Sequence, residues 1–290
     1  MNGDLRREAI ALYDRFTHEG LDRRDFFARM TRLAGSAAAA NLLIGTIAGS
    51  AEAKPLSSPV DARLVMSKGK LLGEFSVLSG YSARPKSRAS RGTVLVIHEN
   101  RGLTPHIEDV TRRLALVGFN AVAPDLLSAL GGTPANEDKA RDLIGKLDLG
   151  KALSDTRVIA SALRGAAIAN GKLGIVGFCW GGAFVNRFAV AAGRKVDAGV
   201  AYYGPAPDPA EAAKVEAPLL LHYAGLDTRV AATAGPWVAA LKAAHKNVTA
   251  YTYPGVDHAF NNDTSAERFN KPAADLAWSR TVAFLHAHLD

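Results

Sequence analysis

The run Gly177-Phe178-Cys179-Trp180-Gly181 is the stretch of this chain best suited to covalent chemistry. A nucleophile with glycine two residues to either side fits a tight strand-to-helix turn, where larger side chains would meet backbone. Such a turn exposes the sulfur and sets it at a helix N-terminus, which favours an anion. It also aims the Trp180 N–H at the position where an oxyanion would develop. Gly182 and Ala183 keep the first helical turn slim. Cys179 is the only cysteine. That excludes an intramolecular disulfide framework, a Cys-rich zinc site and a CxxC redox pair.

A thiol nucleophile needs a base, and the base needs an orienting acid. In the order nucleophile, acid, histidine, each follows a later strand. Residues 219–223 read as a strand that runs into Gly225-Leu226-Asp227. Residues 248–253 read as another that runs into Pro254-Gly255-Val256-Asp257-His258. Asp227 is therefore assigned as the acid and His258 as the base. Asp257 is the alternative acid, disfavoured because adjacent side chains seldom meet in this geometry. Of the eight histidines, His258 alone lies in a Gly-rich loop after a late strand. His18, His245, His286 and His288 fall in helical patterns and are expected at the surface. His222 reads as a core histidine, and His106 flanks the loop after strand 93–97.

The elements that must position these groups alternate. Strands are expected at 73–82, 93–97, 119–123, 172–178, 196–202, 218–223 and 248–253. The β-branched run at 93–97 reads as a strand buried on both faces. Helices are expected at 105–117, 137–147, 151–168, 183–192, 231–245 and 272–288, with a Gly/Pro-bearing loop at 126–136. This alternation indicates an α/β fold with a mostly parallel central sheet and helices on both faces. One domain over 71–290 accounts for it, with 54–70 as a linker.

Residues 1–53 differ from the rest. Arg23-Arg24 precedes Phe26-Phe27, a weakly apolar stretch covers 33–48, and Ala51-Glu52-Ala53 is a small-x-small pattern. The order matches a twin-arginine export signal. Asp22 stands where such signals carry Ser or Thr. The alternative is a retained helical extension, with a cytoplasmic protein. The apolar stretch is short for a stable membrane span, which needs roughly 20 residues.

The elbow, the Gly225-Leu226-Asp227 turn and Gly255-Val256-Asp257-His258-Ala259-Phe260 resemble the dienelactone hydrolase (carboxymethylenebutenolidase) family. So do His98-Glu99-Asn100-Arg101-Gly102 and Ala123-Pro124-Asp125-Leu126. The resemblance covers about 71–290. It implies the α/β-hydrolase fold and a Cys179-His258-Asp227 triad. It also implies that Glu99 pairs with the resting cysteine, and that Asn100 gives a second oxyanion N–H. For Glu99 the alternative is a loop carboxylate paired with Arg101.

Members acting on dienelactone hold its carboxylate with two arginines. Those positions here read Ala129 and the arginine-free run Ala259-Phe260-Asn261-Asn262. Neither Ala nor Asn replaces a bidentate clamp. Arg101 is a candidate anion contact instead, and Phe260, Trp180 and Leu103 are candidate pocket residues.

The expected function is hydrolysis of a small ester or lactone through an acyl-enzyme. The alternatives are a thioesterase or peptidase on the same residues, or a non-catalytic binding protein on the fold. Acyl transfer through a thiol needs no cofactor, and no clustered His/Asp/Glu constellation marks a metal site. The net charge is +7, and the basic residues occur as pairs such as Arg6-Arg7 and Arg112-Arg113 rather than runs. A solvated surface is expected from them, not a nucleic-acid patch.

Overall fold

The computed structural model describes residues 3–48, 55–87 and 91–290. The body is one eight-stranded sheet. Its strands are β1 (Leu64–Leu72), β2 (Val77–Pro85), β3 (Arg91–Ile97), β4 (Asn120–Pro124), β5 (Ala169–Phe178), β6 (Ala198–Tyr202), β7 (Leu219–Ala224) and β8 (Val248–Tyr253). They lie in the order β1-β2-β4-β3-β5-β6-β7-β8. β2 is antiparallel to both β1 and β4, and every pairing from β4 to β8 is parallel. This is the α/β-hydrolase arrangement expected from the motifs.

Val94, Leu95, Val96 and Ile97 are wholly buried because helices cover both faces of the sheet. On one face, α4 (Pro105–Leu116) and α9 (Lys271–Leu289) bring Ile107, Val110, Leu114 and Leu285 against Val96 and Val176. On the other, α6 (Leu149–Arg164), α7 (Trp180–Ala192) and α8 (Thr228–Ala243) bring Ile159, Phe184, Val185 and Trp237 against Leu95 and Ile175. A short helix, α5 (Glu137–Lys146), follows a 3₁₀ turn at Leu126–Leu130.

One expectation changes. Residues 55–70, expected within a linker, are tied down, and most of β1 falls within them. Ser57 accepts from Arg112 Nε at 3.0 Å and donates to Asp109 Oδ1 at 2.6 Å. Arg112, expected among solvated charges, is thus 2% exposed and paired with Asp109. A buried guanidinium persists only with such partners.

Residues 3–48 form three helices, α1 (Gly3–His18), α2 (Arg23–Ala34) and α3 (Ala37–Ala48). They enclose a small core of Ile10, Tyr13, Phe26, Met30 and Ile47. Asp22 is the N-cap of α2, accepting from the Arg24 and Asp25 amides. The Ala51-Glu52-Ala53 pattern lies outside the described residues. Among those described, no helix is long and apolar enough to cross a membrane.

Candidate active site

The carboxyl ends of β3, β5, β7 and β8 open on one crevice, where open α/β sheets collect their functional loops. Cys179 occupies the turn from β5 to α7 with φ of 54°, a conformation that L-residues rarely adopt. The flanking glycines make the turn feasible. A Cβ on Gly177 would sit 2.2 Å from the Gly181 carbonyl oxygen, and one on Gly181 would sit 2.5 Å from the Ile97 and His98 oxygens. Strain at one residue is sustained because the surrounding backbone is packed this closely.

Asp227 is the N-cap of α8, and one carboxylate oxygen accepts from the Val230 N–H at 3.0 Å. Its other oxygen lies 2.5 Å from His258 Nδ1, and His258 Nε2 lies 3.2 Å from Cys179 Sγ. Ala259, at φ 63°, turns the loop that carries His258. The ring of Tyr203 packs edge-on against the imidazole at 5.1 Å.

Burial by itself would push the His258 imidazole down. Negative charge at Cys179 and the Asp227 hydrogen bond outweigh it and raise His258 to about 10. Burial likewise opposes ionisation of Asp227, but the hydrogen bond and charge of His258 bring it down to about 2. The line thus favours a charged imidazole held between sulfur and carboxylate. The runner-up acid, Asp257, points elsewhere and pairs with Arg6 at 3.1 Å.

The remaining candidates sort clearly. Glu99 is buried and accepts from Asn262 Nδ2 at 2.8 Å, so its carboxylate ties the β3 loop to the His258 loop. The hydrogen-bond partners of the Cys179 sulfur are His258 and His18, not Glu99. Arg101 does not pair with Glu99. It donates to Tyr13 Oη at 2.7 Å and pairs with Glu137 at 3.2 Å. Asn100 and Trp180 both line the cavity that reaches Cys179. Phe260 is not a pocket residue. It is wholly buried against Tyr203 and Tyr253, because the turn at Ala259 sends it into the core.

His222 is a core histidine as expected. It contacts Tyr253 Oη and Thr281 Oγ1, and burial with the nearby Arg280 charge lowers it to about 3. His106 is buried with Nδ1 2.8 Å from Asp263. His98 supports the site without a role of its own in the sequence pattern. It anchors the β3 loop between the Glu99 carbonyl at 2.7 Å and the Leu126 N–H at 3.2 Å, and it stacks on Trp180.

The largest departure is His18, expected on the surface. Its Nε2 lies 3.2 Å from Cys179 Sγ, and its ring packs edge-on to His258 at 4.8 Å. Helix α1 is held over the crevice by Arg6 with Asp257, Tyr13 with Arg101, and Asp14 with Arg268. Burial and the adjacent His258 charge push His18 well down, so its imidazole is neutral. Beside Cys179, under Phe16, Thr17 and His18, is a cavity of about 460 Å³. Trp180, Phe184, Ile144 and Leu149 form its apolar walls, and Arg141, Arg187 and Arg229 also reach it.

Comparison with known proteins places this geometry. The dienelactone hydrolase family model matches residues 78–289. A provisionally named carboxymethylenebutenolidase of Methylorubrum extorquens is 33% identical over 232 residues, covering 75% of this chain and 79% of the relative. One from Azospirillum brasilense is 34% identical over 229 residues, covering 75% of this chain and 96% of the relative. The crystal structure of a provisionally named dienelactone hydrolase from Klebsiella pneumoniae superposes with a TM-score of 0.70. It is 29% identical and covers 77% of this chain and 98% of its own. Helices α1 to α3 precede the family match. From β2 onward, the chain belongs to the dienelactone hydrolase family of the α/β-hydrolase superfamily and is a hydrolase of carboxylic esters or lactones.

Proposed function

We propose that the chain hydrolyses an ester or lactone bearing an anionic group, through a covalent thioester on Cys179. The observation that carries the nucleophile assignment is the unbroken line from Cys179 Sγ through His258 to Asp227, at 3.2 and 2.5 Å. The sulfur attacks the carbonyl carbon, and the Trp180 and Asn100 N–H groups stabilise the oxyanion. Such a donor is worth about 3–4 kcal/mol. Collapse expels the alkoxide, which takes the proton from His258 Nε2. Neutral His258 then removes a proton from water, and hydroxide displaces the thiolate from the acyl group. An amine leaves less readily than a thiolate, so esters and lactones suit this site better than peptides. Intact mass spectrometry after mixing with p-nitrophenyl acetate should show an acetyl adduct on Cys179. Turnover with an unmodified Cys179 and an acyl group on another residue would reject the assignment.

The cavity supports the anionic part of the proposal. Arg141 pairs with Asp138 at 3.0 Å. Arg187 has no ion pair among the described residues; its one hydrogen bond there runs to the Ala183 carbonyl at 3.5 Å. Arg229 has a buried Nη2 without a hydrogen-bond partner. Desolvated, unpaired guanidinium groups suit a carboxylate. They come from α7 and α8 rather than from the two loop positions where arginine is missing. Arg187→Gln should lower kcat/KM about tenfold for p-nitrophenyl hemisuccinate, the scale of one charged hydrogen bond. For p-nitrophenyl butyrate the change should stay within about twofold. Equal losses on both esters would remove the anion contact.

A further inference from the structure

One imidazole at the nucleophile has no part in the acyl-transfer line. His18 Nδ1 lies 3.0 Å from the Asp14 carbonyl oxygen and 2.8 Å from Thr17 Oγ1. A carbonyl only accepts, so Nδ1 carries the hydrogen and Nε2 is left with its lone pair directed at Cys179 Sγ. When His258 is neutral, its Nδ1–H is held by Asp227 in the same way, and its Nε2 lone pair also faces the sulfur. Three donor atoms from residues 18, 179 and 258 thus meet at one point. The two N–S edges are each 3.2 Å, and all three atoms lie within 4.8 Å of one another.

We propose that Cys179 Sγ, His258 Nε2 and His18 Nε2 form a binding site for a soft divalent cation of the zinc type, which clasps the N-terminal helices over the nucleophile. The donor set is the first argument. Thiolate and imidazole suit Zn²⁺ and its neighbours in the transition series, whereas Ca²⁺ and Mg²⁺ take oxygen ligands. The outer contacts are the second. A metal-bound histidine needs its other nitrogen fixed by a carboxylate or a carbonyl, and here Asp227 fixes one and the Asp14 carbonyl the other.

Geometry is the third. Bonds of about 2.0–2.1 Å to nitrogen and about 2.3 Å to sulfur give tetrahedral edges of roughly 3.3–3.6 Å. The N–S edges are near this already. The N–N edge closes with a shift of up to about 1.5 Å, which His18 can supply because it ends α1 and is followed closely by Gly20 at φ 73°. The fourth position opens on the 460 Å³ cavity, which admits water.

Binding is ligand exchange without redox change. The cation sheds waters, sulfur coordinates as thiolate, and the proton shared by sulfur and His258 passes to solvent. Its effect is inhibitory, since the sulfur lone pair and the His258 nitrogen are both occupied. That consequence rests on the acyl-transfer reading above, whereas the ligation does not. The other contacts of α1 with the body, through Arg6, Tyr13 and Asp14, are polar and partly solvent-exposed. Metal–ligand bonds to His18 would outlast them.

The test uses the full chain with Co²⁺ as the spectroscopic probe and Zn²⁺ as competitor. One equivalent of Co²⁺ should give a near-ultraviolet thiolate-to-metal band and the visible bands of a four-coordinate ion, both removed by Zn²⁺. His18→Ala should weaken Co²⁺ binding at least tenfold, His18→Cys should restore it, and Cys179→Ser should abolish the thiolate band. Circular dichroism establishes that each variant is folded. Equal Co²⁺ affinity in the wild type and His18→Ala, or no thiolate band at all, would overturn the site. With hydrolysis assayed on the metal-free chain, Co²⁺ binding by a chain that forms no acyl-Cys179 would defeat the acyl-transfer reading alone, and acylation of Cys179 without Co²⁺ binding would defeat this one alone.

Discussion

Cys179→Ala is expected to lower kcat/KM for p-nitrophenyl acetate by at least about three orders of magnitude, or about 4 kcal/mol of transition-state stabilisation. The reason is specific to the site. In the proposed reaction the sulfur forms the bond, and neither His258 nor Asp227 can replace it, because Asp227 is 2.5 Å behind the imidazole and spent in holding it. Loss of fold would not explain such a result. Removing one sulfur atom leaves a small void costing roughly 1 kcal/mol, and its neighbours Phe178, Tyr202 and Tyr203 remain packed. Asp227→Asn should cost about two to four orders on the same substrate, since an amide cannot stabilise the imidazolium. The two losses should not add, because the residues act as one unit. Steady-state kinetics with a thermal melt of each variant would measure both, and Cys179→Ala activity within tenfold of wild type would reject the thiol as nucleophile.

The fold and the central line of the site were legible in the sequence for a common reason. Cys179, Asp227 and His258 each follow a parallel strand within a few residues, and each is marked by glycine where the turn needs it. The local pattern therefore carries the tertiary position. β1 was not legible because it is an edge strand. Lys68 and Lys70 are exposed and pair on one side only, so no apolar alternation marks them.

Phe260 was misjudged for a different reason. A single positive φ at Ala259 decides whether the next side chain faces cavity or core, and nothing in the residue types announces it. His18 was the hardest to foresee. Its helix has an ordinary polar pattern, and its place at the nucleophile depends on scattered pairs with residues from 101 to 268.

The elbow also sets the largest expected loss of stability. Gly181→Ala should destabilise the protein by roughly 3–5 kcal/mol, at the severe end for one substitution. The added Cβ would meet the Ile97 and His98 carbonyl oxygens at 2.5 Å. Both belong to backbone at the end of β3, which is paired to β4 on one side and β5 on the other, so neither can rotate away. Relief would require α7 to lift from the sheet, separating Phe184 and Val185 from Ile97 and Ile175. Gly45→Ala is the control. It lies within α3, exposed and with open space around the added Cβ, and there alanine should be neutral or stabilising by roughly 0.5–1 kcal/mol. In thermal melts the first variant should fall by about 10 °C, from 2–4 °C per kcal/mol at this size, while the second holds or rises slightly. Matching melts would mean that the elbow yields without cost. In that case Cys179 would not be held in its strained conformation by the packing around it, and whatever part of Gly181→Ala stayed folded should still acylate normally. If the packing does hold the elbow, the folded fraction should acylate slowly, because a sulfur moved with α7 loses both its 3.2 Å contact with His258 and its alignment with the Trp180 N–H.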